Sequence, residues 1–229
     1  MKAVYKETEG AYTACLTERP VPTLTKQDNV LIRVHACTTC GLDMHIWQGK
    51  LRDCEVCRLG YPQFCRSRRS LGIQRDGALA EYIAVPARYL HRVPDNLPDE
   101  FACLAEPFTI SVSDVLVHAD LTPGESVLII GAGQVAQLAL VAARCGGASR
   151  IFLSGAETDA SLRLPAAAAL GADLVINSGR GDPVEAVLRA THGRGVDLAV
   201  EASGSPAGIA AGIKALRPGG RMAVLGATK

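Results

Sequence analysis

The stretch from Ser126 to Cys145, SVLIIGAGQVAQLALVAARC, constrains this chain more than any other. It opens as a short apolar run, turns at Gly131 and Gly133, and continues as a helix-forming segment that Gly146 and Gly147 terminate. A run apolar at nearly every position is no half-solvated strand, whose residues would alternate apolar and polar. It fits a parallel strand covered on both faces. RIFLS, DLVIN, DLAVEA and RMAVLG then repeat this strand type, at spacings of roughly two to three dozen residues that leave room for a crossover helix each time. From about residue 108 onward the chain therefore reads as a doubly wound α/β domain. Asp182, Pro183 and Glu185 supply an N-cap, a proline at N1 and a capping-box acid before AVLRATHG. Pro165 breaks the pattern: inside DASLRLPAAAALG it is expected to bend or interrupt a helix.

The first half, to residue 107, has a different grammar. VLIRVHA (Val30–Ala36) and AEYIAVP (Ala80–Pro86) are short β-type runs, and Pro20, Pro22, Pro94 and Pro98 punctuate the loops. Of 229 residues 48% are apolar, enough for a real core. A net charge of +1 and 4% aromatic residues give neither a basic surface nor a stacking platform, so nucleic acid and anionic membranes are not expected partners. The opening MKAVYKETEG lacks the apolar core of a secretory leader. The expectation is a soluble cytoplasmic protein whose eight cysteines are reduced and available to metal.

Gly131, Gly133 and Ala136 form G-x-G-x-x-A. Small residues here also serve plain helix–strand packing, but the pattern follows a strand and opens a helix inside a βαβ unit. That is the context a dinucleotide site requires. The first glycine permits the tight turn, the second admits the pyrophosphate to the backbone beside Gln134 and Val135, and Ala136 allows close packing. The acid that holds the ribose 2′-hydroxyl should end the second strand. That strand ends at Ser154, and Gly155 follows; Glu157 and Asp159 come only in the turn beyond. Arg163 is the nearest residue that could meet a 2′-phosphate, so NAD and NADP both stay open.

The cysteines allow two constellations. Cys37, Cys40, Cys54 and Cys57 make C-x2-C-x13-C-x2-C, a four-thiolate zinc ribbon. Alternatively Cys54, Cys57 and Cys65 belong together and Cys40 serves elsewhere. Spacing does not choose between them. Cys15, Cys103 and Cys145 lack metal spacing and read as small packing residues, and His35, His91, His118 and His192 are isolated.

The ordered series ACTTCGLDMHIW, CEVCRLGYPQFC, DGALAEYIAVP, LAEPF, VLIIGAGQVAQLAL, LGADLVIN and RPGGRMAVLG resembles the zinc-dependent medium-chain dehydrogenases, the sorbitol, threonine and alcohol dehydrogenases among them. The resemblance implies a GroES-like β domain over residues 1–107, followed by a Rossmann domain over 108–229. It matches Cys40 and Glu106 to catalytic-zinc ligands, Asp43 to an acid behind them, His45 to a residue near the nicotinamide and Trp47 to the substrate pocket. Cys54, Cys57 and Cys65 match three ligands of a structural zinc lobe whose first position here is Leu51. Gly131, Gly133, Gln134, Val135, Ser154 and Arg163 fall at the cofactor.

The resemblance also implies omissions. Between Lys50 and Leu51 the family carries several dozen further residues, including a Gly-His-Glu motif whose His binds the catalytic zinc. The sixth Rossmann strand and the segment that returns to the β domain would follow Lys229. The implied activity is oxidation of a secondary alcohol or polyol with zinc and NAD or NADP, in a chain that can form homo-oligomers. The alternatives are a member that binds dinucleotide or structural zinc without turnover, and a small zinc-binding interaction protein.

Overall fold

The computed structural model describes residues 1–6, 14–37, 71–73, 75–87 and 90–226. The chain divides into two compact units, Met1–Leu104 and Ala105–Lys229. Cys40, Asp43, His45, Trp47, Cys54, Cys57 and Cys65 lie outside the described residues.

In the first unit, β1 (Lys2–Lys6) pairs antiparallel with β2 (Ala14–Glu18), and β3 (Asn29–Arg33) with β4 (Tyr82–Pro86). The two ribbons are tied where Ala3 bridges Ala80, with Glu81 N donating to Lys2 O and Val34 N to Glu81 O. Among the described residues of this unit, Ala3, Ile83, Val85 and Pro86 are buried. The expectation that Cys15 and Cys145 fill packing positions is corrected: both are exposed, Cys15 in a strand, β2, that has no fully buried residue, and Cys145 in the second unit. Cys103 is half-buried and donates to Glu100 O, just after the short helix α1 (Asp99–Ala102).

The second unit is a five-stranded parallel sheet in the order β7-β6-β5-β8-β9. Its strands are β5 (Ser126–Ile130), β6 (Arg150–Gly155), β7 (Leu174–Asn177), β8 (Val196–Glu201) and β9 (Leu216–Val224). The helices are α2 (Ala105–Val112), which runs into a π-helical segment at Ser113–His118, α3 (Gln134–Cys145), α4 (Arg163–Ala169), α5 (Pro183–Ala190) and α6 (Pro206–Ala215). Period-two alternation assigns the buried side chains to two layers. Val127, Ile129, Ile151, Leu153, Leu198 and Val200 face the cluster built with α3 and α4. Leu128, Ile130, Phe152 and Val196 face the opposite cluster with Val187 of α5 and Ala215 of α6.

The continuous apolarity expected of a doubly covered strand holds for β5, β6 and β8, which are buried throughout except at Arg150. Strands β7 and β9 are only half-buried because they form the sheet edges. Strand β9 also begins earlier than RMAVLG suggests, at Leu216, with a register shift opposite Val196 and Leu198.

Helix ends follow their local chemistry. Gly147, at φ +81°, closes α3: its N–H reaches Arg144 O and the next N–H, of Ala148, reaches Ala143 O. Asp182 caps α5 by accepting from Val184 N. The expectation for Pro165 is corrected. A 3₁₀ turn at Glu157–Asp159 comes first and α4 starts only at Arg163. Pro165 therefore lies in a first turn, where a helix has no use for its missing N–H.

Candidate functional site

In an open parallel sheet, ligands bind outside the carboxyl ends of the strands where the strand order reverses. Here that point is between β5 and β8, which leave the sheet toward opposite faces. Gly131 follows β5 and accepts φ +107°, with its N–H on Ser154 O. A Cβ there would lie 3.0 Å from both Ala202 C and Ser203 N, so the turn after β5 is pressed against the turn after β8. Only glycine fits both the dihedral and the gap.

Gly133 meets the opposite condition. Its φ of −71° suits any residue, and a Cβ there would meet nothing within 4 Å. It is the N-cap of α3 and supplies no side-chain acceptor, which leaves the first N–H groups of that helix directed into open space. Ala136 behind it is fully buried against the sheet. Gln134 Nε2 is buried without a hydrogen-bond partner, whereas Gln137 Nε2 donates to Ala132 O and Arg163 O. An open backbone cradle and uncapped N–H donors are what the pyrophosphate of a dinucleotide would satisfy. The residues present fit such a group.

Across the crevice, Glu201 ends β8 and is fully buried. Its Oε1 accepts from Ser203 N at 2.7 Å and from the Ser203 hydroxyl, and its Oε2 accepts from Gly204 N at 3.2 Å. Its backbone oxygen accepts from Leu225 and Gly226 N–H, so one residue fixes the turn after β8 and the chain leaving β9. Ser203 Oγ also meets Ser205 Oγ, and Ser205 caps α6 through Gly208 N. Sequence reasoning did not single out Glu201. Its signal was a lone acid at the end of an apolar strand followed by A-S-G-S.

The outer end of the crevice lies at β6 and β7. Ser154 is buried in β6 and contributes its carbonyl to Gly131. Gly155 follows, and a Cβ there would lie 2.7 Å from Ala132 Cβ and Leu164 Cδ2 and 3.1 Å from Asp159 Oδ2. Asp159, nearly buried, accepts from Ala156 N and from Arg163 Nη1. Glu157 accepts from Arg180 through Nε at 2.9 Å and Nη2 at 2.6 Å, and from Asn177 Nδ2 at 2.8 Å. The Arg180 guanidinium first, then the Asn177 amide, hold Glu157 below the usual carboxylate range. The loop carrying Arg180 is pinned by Ser178, whose N–H and hydroxyl both reach Gly155 O.

Of the zinc ligands that the resemblance implies, only Glu106 is described, exposed in the first turn of α2; of the alternative four-thiolate constellation, only Cys37 is described, and it is exposed. Among the described residues, no three His, Cys, Asp or Glu side chains cluster as ligands. No helix among them is long and apolar enough to cross a membrane. At the opposite end of the sheet, Asp197 accepts from Ser126 N, Ser126 Oγ, Arg194 and Arg217. Burial pushes its carboxyl up, but the bonds from Arg217 and Ser126 and the charge of Arg194 outweigh that and hold it well below the usual range. This clasp joins β5 to β8 far from their carboxyl ends and is structural.

A parallel sheet with a glycine cradle at its switch point defines a Rossmann-type unit. Comparison with known proteins narrows the class. Residues 135–229 match the family model for zinc-binding dehydrogenase, and 51–95 that for the alcohol dehydrogenase GroES-like domain. The chain belongs to the zinc-dependent medium-chain dehydrogenase family. An L-threonine 3-dehydrogenase of Pectobacterium carotovorum subsp. carotovorum is 35% identical over 173 residues, covering 76% of this chain and 49% of the relative. Another, from Bacillus velezensis, is 32% identical over 195 residues, covering 66% and 55%. The structure of an alcohol dehydrogenase, TADH, from Thermus sp. ATN1 superposes with a TM-score of 0.81 at 28% identity, covering all of this chain and 78% of that one. The chain spans about half the length of the curated relatives it matches.

Proposed function

We propose that this chain is an oxidoreductase that binds a nicotinamide dinucleotide at the Gly131–Val135 cradle and oxidises a secondary alcohol or polyol. The observation that carries the reading is the pairing at the switch point. Gly131 is closed against the turn after β8, while Gly133 is open above the uncapped start of α3. When bound, the dinucleotide would accept the hydride and zinc would polarise the alcohol oxygen.

The chain's own residues do the rest. The N–H groups of Gln134 and Val135 receive the pyrophosphate, and Glu201 holds the Ser203 turn rigid beside it. Gly131 keeps the two turns in register. Cys40 and Glu106 as catalytic-zinc ligands, Asp43 and His45 as their neighbours, and Cys54, Cys57 and Cys65 as structural-zinc thiolates are carried by family resemblance and form part of this proposal. So do a cytoplasmic location and self-association.

The test is alcohol-dependent formation of reduced dinucleotide by zinc-loaded, monodisperse protein across a panel of secondary alcohols and polyols. Turnover abolished by a chelator and restored by zinc supports the reading. Dinucleotide binding with no turnover on any member of the panel would reduce the protein to a binding member of its family.

A further inference from the structure

We propose that this chain selects the 2′-phosphorylated dinucleotide, NADP(H), and that Arg163 and Arg180 receive its 2′-phosphate. This rests on the dinucleotide reading above and concerns the far end of the same crevice. The acid that would reject a 2′-phosphate belongs at the end of the second strand of the fold. That position is Gly155, where even a Cβ would press on Ala132, Leu164 and Asp159. An acid cannot enter there without repacking three neighbours, one of them itself a carboxylate.

The two acids that do stand nearby are already engaged. Asp159 is turned inward, with Oδ2 on Ala156 N and Oδ1 on Arg163. Glu157 carries the fork of Arg180 and the amide of Asn177. Two carboxylates and two guanidiniums cancel, so an incoming phosphate meets no uncompensated negative charge. It meets instead two guanidiniums tethered to one 3₁₀ turn, with side chains 60% and 72% exposed for Arg163 and Arg180. The hydrogen bonds described use one N–H of Arg163 and two of Arg180, out of five on each. The remaining donors suit a phosphate, which arginine binds through paired N–H groups. Arg180 enters from the β7–α5 loop, and Gly179 packs so closely on Glu157 that its backbone fixes the approach.

Calorimetric titration of the whole chain with NADPH, NADH, 2′,5′-ADP and 5′-AMP tests this without requiring turnover. NADPH is expected to bind at least about tenfold more tightly than NADH, and 2′,5′-ADP to bind where 5′-AMP does not. In R163A/R180A, whose folding is checked by its melting temperature, the NADPH-to-NADH preference should fall to about one; in R180K it should fall only partway, since lysine keeps the charge and loses the fork. NADH binding as tightly as NADPH to the native chain, or a preference unchanged in the double variant, would overturn the proposal and leave the dinucleotide site standing. Failure of every one of the four nucleotides to bind would overturn the dinucleotide reading itself.

Discussion

Gly131 and Gly133, two residues apart in one motif, should respond to the same substitution in opposite ways. For Gly131→Ala, a φ of +107° lies outside the regions an L-residue adopts readily, a strain of about 1–3 kcal/mol. The new methyl would also sit 3.0 Å from two backbone atoms of the Ala202–Ser203 turn. That turn is held by Glu201 and cannot withdraw freely, which adds about 1 kcal/mol of overpacking. The sum, about 2–4 kcal/mol, should lower the melting temperature by roughly 6–15 °C in a unit of this size. For Gly133→Ala the backbone is unstrained and the space is open, so stability should change by less than about 0.5 kcal/mol. Its methyl, however, stands where the pyrophosphate approaches, and dinucleotide affinity should fall by about tenfold or more. Thermal unfolding followed by circular dichroism, paired with dinucleotide titration, reads both effects. Equal melting temperatures for the two variants, or a Gly133→Ala protein that binds dinucleotide like the native chain, would refute the reasoning.

Other outcomes follow from the buried carboxyl groups. Asp197→Ala strands the buried Ser126 N–H and takes the partner from the mostly buried Arg217 guanidinium, while Arg194 is largely in solvent. It should cost about 2–3 kcal/mol, read as a lower urea midpoint at unchanged slope, and a loss under about 1 kcal/mol would contradict the clasp. Asp197 and Glu125, the latter held low chiefly by its hydrogen bond from Arg221, both have depressed values in the fold. Their contribution is therefore complete above the unfolded-chain value of about 4 and is lost as pH falls below it. Melting temperature should drop from about pH 4 downward in the native chain and less steeply in Asp197→Ala; parallel curves would exclude this source. Glu201→Ala removes the acceptor for Ser203 N, Ser203 Oγ and Gly204 N. It should destabilise by about 2–4 kcal/mol and weaken dinucleotide binding, and native affinity in that variant would show that the Ser203 turn has no part in the site.

What could be read from the sequence was what is encoded locally. The β5 run, the glycine turn and the Gly147 helix stop each lie within a few consecutive residues, and the structure places all three in one βαβ unit. One misplaced feature was also local. Pro165 looked interior because the 3₁₀ turn at Glu157–Asp159 carries no sequence signal that separates it from the helix after it. Arg180 was invisible for another reason. Its pairing with Glu157 spans 23 residues and exists only because β7 lies beside β6, an adjacency that strand periodicity does not specify. Glu201 likewise reads as one acid among many until the fold closes Gly131 and Gly226 around its turn. Cys40, Cys54, Cys57 and Cys65, the most conspicuous chemistry in the sequence, lie outside the described residues, so the metal side of the reading rests on resemblance.

Hydrogen–deuterium exchange of the whole chain, with and without saturating NADPH, tests the central claim most directly because it locates binding without requiring turnover. The expected result is slower exchange at residues 131–136 and 202–204, the two turns that meet at the switch point. Unchanged exchange in both turns, with or without protection elsewhere, would contradict a dinucleotide site at the carboxyl ends of β5 and β8.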